Sequence, residues 1–353
     1  MPTTYAIPDG RTVMAATLYT GNGSAQTISN AVNGVSFQPD WVWQKARQEV
    51  ANHRLVDSVR GVDKVLYSSS TAAEATTDGV VDSFNSNGFT GGGSDVVTSG
   101  QTAVAWQWKA GGTAVTNTAG TITTTVSANT TAGFSVVSFT SPASGSFTIG
   151  HGLNAVPNLI ITKPTSRSAG WVTYHSSLNG GSPGTSYFVY LNTTAAQASL
   201  ASPPMWGSEV PTSSVFGASV SATCAPSEPL IAYCFSAVAG YSAFGSYVGN
   251  GSTDGPFVYT GFKPRFIMVK QSSAAGEDWL IQDTSRKPYN TSTTGVSLAA
   301  DTSGAEVNSS AQLWDVLSNG FKLRASGGGI NASGATYIYA AFASNPTKYA
   351  NAF

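Results

Sequence analysis

Residues 262–270 read FKPRFIMVK, and the same shape stands twice earlier, as FQPDWVWQK at 37–45 and AVPNLIITK at 155–163. In each copy a lysine falls six residues after a proline: Pro39 and Lys45, Pro157 and Lys163, Pro264 and Lys270. The prolines lie 118 and 107 residues apart. Proline fixes φ and offers no N–H, which suits the start of a strand. The residues that follow (Trp41, Val42 and Trp43; Leu159, Ile160 and Ile161; Phe266, Ile267, Met268 and Val269) are apolar at consecutive positions. A strand apolar on both faces is covered on both, so the stretch predicts the central strand of a β-unit used three times. The lysine ends that strand, with its stem expected over apolar surface and its ammonium in water.

Further landmarks recur around each copy. Tyr19 in LYTGNG and Tyr247 in YVGNG precede their prolines by 20 and 17 residues, and Phe139 in SFTSPASG holds the place in the second copy. Downstream, HRLVDSVRG, WVTYHSSLNG and WLIQDTSRKP bring Asp57, His175 and Asp283 into register. SNGF turns end at Phe89 and Phe321, with SSVF at 213–216 between them. Each copy closes on an alternating strand: AVAWQWKAG, LIAYCFSAV and YIYAAFASN. Agreement at five landmarks predicts a domain of about 110 residues used three times.

Short runs of Val, Ile, Tyr, Phe, Trp and Thr between Gly, Asn, Ser and Pro clusters mark an all-β chain. The expected architecture is three tandem antiparallel β-sandwich or jelly-roll-like domains, at 13–110, 131–239 and 240–346. An N-terminal arm (1–12) and a C-terminal tail (347–353) flank them, and 111–130 is a Thr-rich linker or added strand. Trp108 and Phe139 are 31 residues apart, but Phe235 and Tyr247 only 12. Beads two and three are therefore expected to pack closely, with bead one more independent. A helical turn or two is expected only in segments such as 70–79 and 311–320.

Composition narrows the function. Charged residues make up 10% and the net charge is -1, so there is no basic stripe to meet nucleic acid phosphates. No apolar run is long enough to span a membrane, and MPTTYAIPDGRT does not read as a secretory signal. Cys224 and Cys234 flank APSEP at an offset unsuited to a disulfide, so free thiols from a reducing cytoplasm are expected.

G-x-S-x-G, H-E-x-x-H, a P-loop and CxxC are missing from the sequence. His53, His151 and His175 lack metal-ligand spacing and read as surface or turn residues. Asp57 with Arg60, and Asp283 with Arg286, read as turns held by an Asp cap and a local ion pair. No enzyme activity and no cofactor is expected. Tryptophans read mainly as core, but Trp206 in the Pro-rich SPPMWGSE has no counterpart in the other copies and is a candidate contact residue. Tyr349 and Phe353 in the tail are further candidate contacts, and the arm is expected to be ordered only against a partner.

The string YVGNG…GFKPRFIMVKQ…WLIQDTSR…LSNGFKLR…YIYAAFASNP resembles a repeated domain of virion proteins from tailed bacteriophages, notably marine and cyanobacterial ones. The third copy fits best and the second is the most divergent. The resemblance implies a non-enzymatic virion structural protein, a tail fibre, spike or host-attachment component, made in the host cytoplasm. Capsid decoration or a head fibre is the alternative within the virion, and a carbohydrate-binding adhesin module the alternative from another class. Implied partners are other virion proteins and further copies of itself, a trimer first, with a host surface glycan or protein as a possible target.

Overall fold

The computed structural model describes residues 4–93 and 96–346. It is nearly all β, built from antiparallel sheets. In the first repeat Trp41–Ala46 lies between Thr102–Trp108 and Arg54–Asp57, with Met14–Thr20 at the edge. The second repeat orders Phe134–Thr140, Pro229–Phe235, Leu159–Pro164 and Val172–His175 in the same way, and the third orders Ser242–Val248, Thr336–Pro346, Phe262–Gln271 and Leu280–Asp283. Registers also agree. Trp41 pairs with Trp108, Leu159 with Phe235 and Phe266 with Phe342, while Lys45, Lys163 and Lys270 face Val104, Ile231 and Ile338.

The proline-led strands are therefore interior strands, and both of their faces are buried. One face carries Val42, Ile160 or Ile267 and packs within its own repeat against a smaller sheet that holds Phe89, Phe216 or Phe321. The other face carries Trp41 and Trp43, Leu159 and Ile161, or Phe266 and Met268, and all of these join one common cluster. At its centre the three equivalent closing residues meet pairwise. Ring centroids lie 6.3 Å apart for Trp108 and Phe235, 5.5 Å for Phe235 and Phe342, and 5.7 Å for Trp108 and Phe342. Each large apolar side chain buried here contributes roughly 1.5–3 kcal/mol. The repeats are thus not beads in a row. Each has a small core of its own, and the three share a larger one.

Of the two forms expected for 111–130 the chain takes the added strand, and the N-terminal arm differs from expectation. Residues 111–130 form strands, Val115–Asn117 and Thr124–Asn129, and the second pairs along Phe134–Thr140. The threonines make this an added hairpin at a sheet edge, since β-branched residues suit a pleated surface. The described part of the arm is held by the chain itself: Ile7 is buried in the common cluster, and Asp9 caps the short turn Gly10–Thr12. A Cβ on Gly10 would lie 2.1 Å from the Ala343 carbonyl oxygen, so the arm lies directly against the closing strand of the third repeat. The tail residues Tyr349 and Phe353 lie outside the described residues. Helix is scarcer than expected: 311–320 supplies part of the single turn Ser310–Gln312 before a strand, and 70–79 forms no helix.

Candidate functional site

The polar residues singled out by the repeat pattern gather at the seams between repeats. Asp57 Oδ1 accepts from the backbone N–H groups of Val59 and Arg60, and Oδ2 accepts from Arg60 Nε at 2.6 Å. Asp283 does the same with Ser285 and Arg286. The expected Asp-capped turns are present, but both carboxylates are buried and each also reaches a neighbouring repeat. Tyr233 of the second repeat donates its hydroxyl to Asp57 Oδ2 at 2.8 Å. Trp106 of the first donates Nε1–H to Asp283 Oδ2 at 3.0 Å, and the Arg286 guanidinium stands 5.4 Å from the centroid of that indole. At the remaining seam His175 takes the aspartate's place. Its Nε2–H donates to the Tyr339 carbonyl of the third repeat at 3.0 Å, and its Nδ1 accepts from Ser177 N–H. Trp106 and Tyr233 correspond in register to Ala340. The third repeat has no polar side chain to offer there, and a backbone carbonyl serves instead.

A second set of bonds runs around the same ring. His53 Nε2–H donates to the Ala299 carbonyl, Trp171 Nε1–H to the Tyr67 carbonyl and Trp279 Nε1–H to the Tyr190 carbonyl, each at 2.9 Å. These connect repeat one to three, two to one and three to two. A third set is purely backbone: Glu74 N–H to Thr165, Gln197 N–H to Ser272 and Glu306 N–H to Arg47. Arg47 also pairs with the Glu306 carboxylate at 2.7 Å. All three seams are built alike, and the first repeat is no more independent than the others.

Burial sets the protonation of these groups. It holds His53 well below the ordinary histidine range and His175 and His151 at about 4. The histidines are therefore neutral buried links and not surface residues. Burial pushes Asp283 up, but Arg286 and the donated hydrogen bonds outweigh it and the carboxyl lies below its usual range. The three lysines also depart from expectation. Their ammonium groups are buried: Lys45 Nζ donates to the carbonyls of Ala46 and Glu49, Lys163 Nζ to those of Pro164 and Arg167, and Lys270 Nζ to those of Thr194 and Glu277. Burial lowers Lys45 and Lys163 to about 8.

Trp206 is fully buried beneath the smaller sheet of the second repeat, edge-on to Tyr174, with Nε1–H donating to the Tyr187 carbonyl. It is a core residue and not a contact. Cys224 and Cys234 are free and buried, and burial raises both thiols. Tyr19, Tyr247, Phe89 and Phe321 line the cores of their own repeats.

Two surface features were not legible in the sequence. Asp63, Asp78 and Asp82 bring carboxylate oxygens within 4.8 Å of one another, the one acidic or metal-ligand grouping of this kind among the described residues. Burial first, then the neighbouring carboxylates, raises Asp63. On the third repeat, the strand Phe257–Tyr259 turns Val258 inward and leaves Phe257 and Tyr259 exposed. Across the small sheet Phe257 faces Lys322, which faces Asp315, and Tyr259 faces Gly320. Asp315 and Arg324 continue into an open cleft of about 470 Å³, also lined by Thr253, Asn290, Thr291 and Ser292. No helix among the described residues is long and apolar enough to cross a membrane.

The chain belongs to the family described as domain of unknown function DUF7483, whose model matches residues 9–346. No curated protein and no solved structure matches it.

Proposed function

We propose that the chain is a non-enzymatic structural component of a tailed-bacteriophage virion, a tail fibre, spike or host-attachment part made of three repeated β domains locked into one ring. The observation that carries this reading is the use made of its buried polar groups. Asp57, Asp283, His53, His175 and Lys270 are bonded between repeats and hold the ring together, while Lys45 and Lys163 are bonded to loops of their own repeats. The sequence resemblance supplies the virion context. The trimer expected from that resemblance has a counterpart within the chain, where three equivalent repeats close around Trp108, Phe235 and Phe342. One copy could therefore occupy a threefold position in a larger assembly.

Immunogold labelling of purified particles tests the proposal, using an antibody raised against the purified chain. Label at a fixed site on the tail is the expected result. Label on the head would favour decoration of the capsid, and particles that carry no label would overturn the virion assignment.

A further inference from the structure

The geometry points to a saccharide-binding face on the outer sheet of the third repeat, formed by Phe257 and Tyr259 beside the polar row Lys322, Asp315 and Arg324. It deepens the host-attachment reading, on which its biological purpose rests, but the binding itself can be tested without it.

The repeats provide an internal comparison. Ile28, Ile149 and Val258 hold one inward position, facing Phe89, Phe216 and Phe321. The positions on either side are Thr27 and Ser29, exposed, in the first repeat, Thr148 and Gly150, covered by Thr121 and Asn117, in the second, and Phe257 and Tyr259, exposed, in the third. The same sheet therefore forms without outward aromatics, and packing does not require them. Yet Phe257 is 44% and Tyr259 66% exposed. Two rings on alternate residues of one strand stand on the same side of the sheet, about 7 Å apart along it. Gly320, opposite Tyr259, leaves room for the Phe257 ring: a Cβ there would lie 3.0 Å from it.

Charged side chains stand beside the rings. Lys322 Nζ pairs with Asp254 at 2.8 Å and donates to the Gly255 carbonyl. Arg324 Nε lies 3.3 Å from Asp315 Oδ2. Exposed aromatic faces accept the C–H faces of a pyranose, while neighbouring carboxylate, guanidinium and amide groups satisfy its hydroxyls. Asn290 and the threonines of the adjoining cleft extend that polar border. A protein strand added to the edge fits less well, since Phe257–Tyr259 spans three residues and Pro256 precedes it without an N–H to donate. A second copy would need a wider apolar area than two rings bordered by ion pairs.

Saturation-transfer NMR on the purified full chain tests this, with the methyl pyranosides of glucose, galactose, mannose and N-acetylglucosamine as probes. The expected result is transfer to the ring protons of at least one probe, with affinity falling about tenfold for each of Phe257→Ala and Tyr259→Ala. The double variant should keep the wild-type melting temperature, and Val210→Ser, elsewhere on the surface, should bind as wild type. Absence of transfer from every probe at millimolar concentration would overturn the assignment. So would transfer unchanged in the double variant. A double variant that sediments as a smaller species would also overturn it, by making the face a contact between copies. None of these results bears on whether the chain is found in virions.

Discussion

The hydroxyl of Tyr233 and the carboxylate of Asp57 meet at 2.8 Å although they belong to different repeats, and Arg60 contacts both. All three are buried. Tyr233→Phe should lower stability by about 1–3 kcal/mol, because a buried carboxylate loses a donor it cannot replace with water. Asp57→Asn should cost at least as much, about 2–3 kcal/mol, since it removes the carboxylate that receives Arg60 Nε and leaves that buried guanidinium with Glu74 as its carboxylate partner. A double-mutant cycle by urea denaturation should return a coupling above 0.5 kcal/mol. Additive effects would show that the seam bond does not stabilise the fold.

The shared cluster makes the three repeats one cooperative unit. Calorimetry should give a single transition whose calorimetric and van't Hoff enthalpies agree. The isolated fragment 1–110 would expose Trp41, Trp43 and Trp108 together, and it should bind hydrophobic dyes and lack a sharp melt. Limited proteolysis should not begin at 111–130, where Thr124–Asn129 is paired into a sheet. An early cut there that released a stable first repeat would contradict the shared core.

Removing residues 1–12 should destabilise the ring and not merely free a terminus. The truncation takes away Ile7, which is 5% exposed in the common cluster, and the close approach of Gly10 to Ala343. Loss of one buried isoleucine alone is worth about 1.5–3 kcal/mol. The melting temperature of the truncated chain should fall by several degrees, and an unchanged value would mark the arm as passive.

Acid should loosen the ring before it protonates most carboxylates. His175 keeps a pKa of about 4 in the fold against an ordinary 6.5, so the unfolded chain binds the extra proton first. Stability is therefore full above about 6.5 and falls as pH drops through 4. Nδ1 already accepts from Ser177, so a second proton there would oppose an N–H donor. The loss for His175 is roughly 3 kcal/mol, and His175→Gln should flatten the decline in a pH series of urea midpoints. For Lys45 and Lys163 the sign is the same, but the window lies at higher pH. Their folded values near 8 lie below the ordinary 10.5, so stability should still rise between about pH 8 and 10.

The parts of this fold that repeat were legible in the sequence. Pro39, Pro157 and Pro264 mark interior strands because a both-faces apolar run has few other uses. The pattern also placed Asp57, His175 and Asp283 at one structural position. It could not tell that the second covering layer is the other repeats, because a strand buried by its neighbours reads the same as one buried by its own sheet. Lys45, Lys163 and Lys270 were misplaced for a related reason: the carbonyls that receive them come from loops, and loop carbonyls leave no sequence signal. Trp206 looked exposed among prolines, but it packs against Tyr174 from a distant strand. Phe257 and Tyr259 carry no such signal, since alternation alone does not separate an outward aromatic from a core one.

A symmetric assembly of identical chains repeats every substitution at each of its contacts. Here the three positions are written separately, so one seam can change while the others keep their aspartates. The third repeat shows what such freedom permits: with Ala340 where the others carry Trp106 and Tyr233, the partner becomes His175 and the acceptor a main-chain oxygen. Innovation at one face, or repair at one joint, leaves two unaltered copies to hold the shape.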